Sequence, residues 1–164
     1  MSDPLSPLRL NVGFIAHQTV GYSRDFHFDL PQIFLPPDLN LTQLSGTCHI
    51  TRTPQGLLVQ AEMIAVFEMD CVRCLEPSLQ NLHTHFTELY AFSKRHMTDS
   101  GLLFPENGQI DLGPLVREYM LLDIPINPIC RPDCKGLCPI CGENRNLSPC
   151  THADESTDSR LGDL

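Results

Sequence analysis

The run Leu57-Leu-Val-Gln-Ala-Glu-Met-Ile-Ala-Val-Phe-Glu-Met69, followed by Asp70 and Cys71-Val-Arg-Cys74, decides how the chain folds. Leu57, Val59, Ala61, Met63, Ala65, Phe67 and Met69 share one face at a period of two, the mark of a strand with a buried side. Its other face carries Gln60, Glu62 and Glu68 among apolar residues, so it is partly covered. Upstream, Pro54-Gln55-Gly56 is a turn. Before it, residues 41–53 set Leu44, Cys48 and Ile50 against Gln43, Ser45, Thr47, His49 and Thr51, so two long strands meet in a hairpin. Downstream, Leu75-Glu76-Pro77 turns the chain and residues 79–92 return as a strand, with Leu82, Phe86, Tyr90 and Phe92 alternating. The Cys71/Cys74 pair therefore stands at a hairpin tip, where zinc-ribbon sites are built.

Outward from this centre the pattern is shorter-ranged. Leu8, Leu10, Val12, Phe14 and Ala16 predict a strand over 8–16, and Phe26, Phe28 and Leu30 a second that stops at Pro31. Pro36-Pro37-Asp38 is a loop, and the polar stretch 93–108 reads as a mobile one. Ile110-Asp111-Leu112-Gly113-Pro114 opens the single long helix, over 113–124, with Asp111 or Gly113 placed to cap it and Pro114 in its first turn. Leu115, Val116, Tyr119, Met120 and Leu122 form an apolar stripe for docking on the sheet. The expected architecture is α+β: an antiparallel sheet, with barrel-like closure left open, one docking helix and a C-terminal zinc-knuckle module. The expected domains are a β-rich core over 1–128, a cysteine-rich segment over 129–152 packed on it, and a polar tail over 153–164.

Composition narrows the function classes. The chain has 164 residues, 41% of them hydrophobic, enough for one domain with a core and an appendage. No apolar run approaches the roughly 18 residues that span a bilayer. The opening Met1-Ser-Asp-Pro-Leu-Ser-Pro has neither a basic nor an apolar region, so no signal peptide is expected. Eight cysteines without an export signal point to the cytoplasm, where clustered thiols are metal ligands more often than disulfides. The net charge of −9 argues against broad binding to a phosphate backbone. It favours basic partners such as ribosomal proteins, or a local basic patch; no membrane and no small-molecule substrate is implied.

The chemistry lies in Cys130-Arg-Pro-Asp-Cys134-Lys-Gly-Leu-Cys138-Pro-Ile-Cys141-Gly142, followed by Cys150 and His152. In Cys-Pro-x-Cys-Gly the proline sets φ, the glycine accepts positive φ, and backbone N–H groups turn onto the thiolates. Setting aside Cys48, alone on an apolar face and read as a buried thiol, leaves eight ligands for two tetrahedral zinc ions. Two partitions compete. In one, Cys71, Cys74, Cys130 and Cys134 share a metal, while Cys138, Cys141, Cys150 and His152 share another. In the other, Cys130, Cys134, Cys138 and Cys141 make one compact site and Cys71/Cys74 stay free. The first is preferred because the second strands Cys150 and His152 and leaves a thiol pair exposed. The long loop from Cys74 to Cys130 is no objection, since closure entropy grows only logarithmically.

Redox Cys-x-x-Cys pairs open helices, whereas Cys71/Cys74 lies between strands. Catalytic zinc keeps an open position, so no catalytic residue is assigned. Iron–sulfur ligation uses the same thiols, though the knuckle form favours zinc. His83 and His85 could bind metal from one strand face, but a solvated face explains them; Met63 and Met69 are core by period, and Asp154-Glu155 is solvated charge. Arg73, Arg131, Lys135 and Arg145 lie inside the cysteine clusters. They either offset thiolate charge or form a small phosphate- or RNA-contacting patch.

Cys71-Val-Arg-Cys74-Leu-Glu-Pro, then Ile110-Asp-Leu, then Leu115-Val-Arg-Glu-Tyr-Met-Leu-Leu-Asp-Ile-Pro, then Cys134-Lys-Gly-Leu-Cys138-Pro-Ile-Cys141-Gly-Glu-Asn-Arg-Asn146 resemble the YceD family over roughly 40–150. These are bacterial and plastid proteins implicated in the accumulation of large-subunit, 23S-type ribosomal RNA. The ending Asp158-Ser-Arg-Leu161 is similar to cyanobacterial and plastid members. The family's usual closing Cys-x-Cys stands here as Cys150-Thr-His152, and its Asn-Leu-Asn as Asn144-Arg-Asn146. Members that lack the Cys-Pro-x-Cys-Gly part keep the pairs matching 71/74 and 130/134, which by resemblance implies the first partition. The molecular role itself does not follow from the resemblance. The reading adopted is a non-enzymatic factor that supports large-subunit ribosomal RNA accumulation, as an assembly or RNA-stabilising factor, with the two zinc ions structural. Its partner would be large-subunit ribosomal RNA or the precursor particle. A zinc-ribbon adaptor for a basic protein is the second reading, and a thiol oxidoreductase at Cys71/Cys74 a distant third.

Overall fold

The computed structural model describes residues 6–152. In chain order its elements are β1 (Arg9–Asn11), α1 (Gly13–Ala16), β2 (Ser23–Leu35), β3 (Leu39–Arg52), β4 (Gly56–Asp70), β5 (Pro77–Ala91), β6 (Gln109–Asp111) and α2 (Gly113–Asp123). Two compact units result. Of the described residues, one takes those up to Glu68 together with Leu79–Pro125; the other takes Met69–Ser78 and those from Ile126 onward. The opening residues 1–5, the acid pair Asp154-Glu155 and the polar tail with Asp158-Ser-Arg-Leu161 lie outside the described residues.

The first unit is built on a four-stranded sheet in the order β2-β3-β4-β5, with β2/β3 and β3/β4 antiparallel. The alternation is realised over 57–65, where Leu57, Val59, Ala61, Met63 and Ala65 are buried, as are Leu82, Phe86 and Tyr90 of β5. Further along, Phe67 is only partly buried, Met69, expected in the core, lies outside it, and Phe92, expected inward, is exposed past the end of β5. The sheet does not close into a barrel, which corrects the closure left open above. The reason lies at the β5 edge. The outward N–H of His83 donates to Asp123 Oδ2 of α2 at 2.7 Å, and Ala91 exchanges backbone bonds with Leu102 and Phe104 of the following loop. Those groups are no longer free to pair with β2.

Two shorter readings also needed correction. The strand over 8–16 is β1 only as far as Asn11; α1 then follows, and Val12 and Ile15, three apart, turn inward while Phe14 stays 41% exposed. β2 does not stop at Pro31 but runs on to Leu35. It is an edge strand, where a missing N–H is tolerated. At this point the buried positions change parity, from Phe28 to Ile33 and Leu35 in β2, and from Leu39 and Leu41 to Leu44, Cys48 and Ile50 in β3. The cause is a bulge in β3. Thr42 faces Val66 but Ser45 faces Ile64, so β3 spends one extra residue, and Gln43 takes φ 51° there.

α2 docks through buried Leu115, Val116 and Met120; Leu122, expected in the stripe, is 78% exposed. Tyr119 stacks on Phe86 with ring centroids 4.8 Å apart and donates its hydroxyl to Glu88 at 2.6 Å. Arg117 pairs with Asp38 at 2.6 Å. Asp111 Oδ1 accepts the Gly113 N–H at 2.9 Å, but neither expected residue caps α2: the N-cap position is Leu112, which makes no side-chain capping bond, and Asp111 braces the helix entrance from one residue further out.

Candidate metal centres

Both cysteine groups lie in the second unit, so each can be described within it. The first knuckle follows β4 directly. Leu75, at φ 61°, reverses the chain, and Cys71 closes the loop by accepting the Leu75 N–H at its carbonyl and donating its own N–H to Glu76. The Val72 N–H donates to Pro128 O at 2.9 Å, which registers this tip against the segment carrying Cys130 and Cys134. The Leu137 N–H donates to Arg73 O at 3.0 Å, and a Cβ at Gly136 would sit 3.1 Å from that same oxygen. With φ at 72°, Gly136 is therefore required by both conformation and space.

These contacts bring four thiols together. The Sγ atoms of Cys71, Cys74, Cys130 and Cys134 lie within 4.8 Å of one another, with Cys71 and Cys134 at 3.8 Å and Cys74 and Cys130 at 3.7 Å. A tetrahedral zinc with sulfur at about 2.3 Å sets its sulfurs about 3.8 Å apart. A disulfide would need about 2.05 Å. Cys71, Cys74 and Cys134 are buried and Cys130 is exposed.

The second group forms locally. Cys138 donates its N–H to Glu143 O and accepts the Gly142 N–H at its carbonyl, with Gly142 at φ 76°. Cys138, Cys141, Cys150 and His152 place their ligand atoms within 4.8 Å of one another, and His152 Nδ1 is 3.8 Å from Cys138 Sγ. Here only Cys138 is buried. The grouping is that of the first partition, and His152 stands where a fourth ligand would. Each group could hold one metal ion, and the Cys₄ and Cys₃His donor sets suit zinc.

Local electrostatics prepare both groups for a cation. Burial pushes the Cys71 thiol up, but backbone N–H groups of Cys74, Cys130 and Arg73 outweigh it and bring it down to about 6. Cys138 is likewise held at about 6 by the N–H groups of Cys141 and Ile140 against burial. Cys134 is lowered first by the Asn146 side chain, whose Nδ2 donates to Sγ at 3.3 Å. Cys130, by contrast, is pushed up to about 12 by local desolvation of its thiol within the cluster, although the residue as a whole is exposed, and by the thiols of Cys134, Cys74 and Cys71 beside it. A proton-bearing group of thiols holds only part of the negative charge that a dication would stabilise.

Asn146 escaped the sequence reading as a site residue. It donates to Cys134 Sγ while its Oδ1 accepts the Lys135 N–H at 2.8 Å, so a residue between Cys141 and Cys150 orients a thiolate of the other group. Its signal was present in Asn144-Arg-Asn146, quoted above without a role. The basic residues surround the first group through their backbones: the Cys134 N–H donates to Arg131 O and the Arg145 N–H to Gly136 O. Arg73 Nη1 donates to Cys134 O at 3.2 Å, Arg131 pairs with Asp133 at 3.4 Å, and Lys135 is exposed. Cys48 is fully buried in the first unit, and burial followed by the Asp25 charge raises its thiol to about 12. His83 and His85 are exposed on β5, and His83 pairs with Glu62 at 2.9 Å.

Comparison with known proteins gives concordant results. An uncharacterized protein of Mycobacterium tuberculosis is 35% identical over 121 residues, covering 71% of this chain and 58% of that protein. A Zea mays protein named "Large ribosomal RNA subunit accumulation protein YCED homolog 1, chloroplastic" is 26% identical over 142 residues, 67% of this chain and 48% of its own length. The Arabidopsis thaliana protein of the same name is 38% identical over 60 residues, 37% of this chain and 19% of its own. The chain thus spans roughly half the length of the first relatives it matches. No solved structure matches it. The family model described as "Large ribosomal RNA subunit accumulation protein YceD" matches residues 59–164, from within β4 through both cysteine groups, and the chain belongs to the YceD family.

Proposed function

We propose that this protein is a non-enzymatic factor that supports accumulation of large-subunit ribosomal RNA, with two structural zinc ions holding its second unit. The observation that carries this reading is the family match over 59–164, joined by the printed names of the maize and Arabidopsis relatives. Four protein ligands per group leave no open coordination position, which supports a structural metal over a catalytic one. Residues 129–152, joined by the Cys71/Cys74 tip, would bear the metals, and the rest of 1–128 would be the β-rich core. Among the described residues no helix is long and apolar enough to cross a membrane, and a cytoplasmic location fits a ribosomal RNA partner.

Arg73, Arg131, Lys135 and Arg145 would contact phosphate, positioned by the backbone around the first metal. Crosslinking followed by RNA sequencing tests the reading: crosslinks should accumulate on large-subunit ribosomal RNA or its precursor. An even scatter over cellular RNA would sink it. Reversing Arg73 and Lys135 together should abolish the signal while leaving the zinc content at two. A second reading, an adaptor for a basic protein, is favoured by the net charge of −9 and by Asp70, Glu76, Asp133 and Glu143, which offset the four cations. It predicts crosslinks to protein and none to RNA.

A further inference from the structure

Where β5, β6, the loop after β5 and the first turns of α2 meet, the first unit holds a cavity of about 520 Å³. Glu88, Asp99, Asp111 and Glu118 line it, and no lysine, arginine or histidine does. Two of these carboxylates are partly engaged: Glu88 accepts the Tyr119 hydroxyl, and Asp111 accepts the Gly113 N–H and the Ser6 hydroxyl. The side chains of Asp99 and Glu118 have no hydrogen-bond or ion-pair partner among the described residues. An acidic concavity alone would not define a site. Tyr90 adds a second observation. It lines the cavity at 6% exposure, and its hydroxyl has no hydrogen-bond partner among the described residues. The ring is buried while the hydroxyl oxygen keeps some accessible surface, so it opens on the cavity rather than ending in the closed interior. Burial, followed by the nearby charge of Asp111, keeps this phenol protonated up to about 12. Leu102, Pro105, Ile110 and Leu115 supply an apolar wall.

We propose that this cavity binds an organic cation, an ammonium or guanidinium group carried on an aliphatic stem. The carboxylates take the charge, the Tyr90 oxygen accepts an N–H, and the apolar wall covers the stem. Like charges facing one concavity repel one another, and a bound cation relieves that repulsion. The same chemistry is offered by an arginine or lysine side chain of a basic partner protein and by a free polyamine. Neither metal centre and no RNA contact is needed for it, so it stands or falls apart from the proposed function.

The test is NMR titration of the full chain, observing the Tyr90 ring. The probes are the peptide acetyl-Leu-Arg-Leu-amide, its neutral citrulline counterpart, spermidine and magnesium chloride. The arginine peptide, spermidine or both should shift Tyr90 in a saturable way, and the citrulline peptide should not. Asp99→Asn with Glu118→Gln should weaken binding about tenfold or more, as expected when charge-assisted bonds are lost. Tyr90→Phe should weaken it several-fold with an unchanged melting curve, because the hydroxyl has no partner to lose. Saturation by the peptide alone assigns the cation to a protein partner, and saturation by spermidine alone to a free polyamine. The proposal is overturned if neither perturbs Tyr90 at millimolar concentration, if citrulline binds as well as arginine, or if magnesium alone reproduces the shifts.

Discussion

The two cysteine groups use the same backbone device and end in different surroundings. In the first, Cys71, Cys74 and Cys134 are buried, and the ligands come from two stretches of chain far apart in sequence. In the second, only Cys138 is buried, and all four ligands fall between Cys138 and His152. The difference teaches that equal ligand chemistry does not mean equal structural weight. A metal that closes a long loop removes more freedom from the unfolded chain than one that closes a short loop, and a buried thiolate left without its cation is the costlier loss.

The largest expected effect breaks the comparison directly. Cys71→Ser should cost one zinc equivalent and lower the melting temperature by about 10 °C or more, while Cys141→Ser should cost one equivalent and lower it by about half as much. Equal shifts, read by metal analysis alongside calorimetry, would erase the distinction. Next, graded addition of a chelator should release zinc in two steps, from the exposed Cys141/His152 group first; simultaneous release would mean that the groups act as one. Third, Gly136→Ala should destabilise by about 2 kcal/mol and Gly142→Ala by about 1, measured by denaturant titration, because both have positive φ but only Gly136 also faces a backbone oxygen. Fourth, Asn146→Ala should weaken zinc at the first group about tenfold and leave the second unchanged in competition with a chromogenic chelator.

The smallest effect uses Cys48 as the thiol outside both groups. Its pKa rises from 9.0 to about 12 on folding, so the unfolded chain loses this proton first. Cys48 therefore lowers stability progressively as pH rises from 9 toward 12, and Cys48→Ala should flatten that alkaline limb. At pH 8, metal-stripped but folded protein should keep this thiol unalkylated.

What was legible in the sequence follows from how many residues repeat one rule. The strand over 57–65 and its return from Leu82 to Tyr90 hold their parity across the core, and the cysteine spacings reappear as two groups in space. Helix α2 was legible at its entrance because Asp111, Gly113 and Pro114 act locally; the exposure of Leu122 depends on how far the helix reaches over its partners, which no periodicity contains. Pro31 misled because a proline ends a central strand but not an edge strand, and edge status is a tertiary property. The four residues of α1 are too few to show a helical period. The role of Asn146 and the acidic cavity were hidden because each arises from residues that the chain brings together only after folding.

The extra residue at Gln43 has a practical bearing on chimeras. β3 carries its core leucines in two frames, one at 39 and 41 and another from 44 onward, and Gln43 is the hinge between them. A splice with a relative that drops or duplicates this single position would rotate Leu39 and Leu41 outward without altering any side chain. Such a hybrid would look conservative on paper and arrive with an oily outer face.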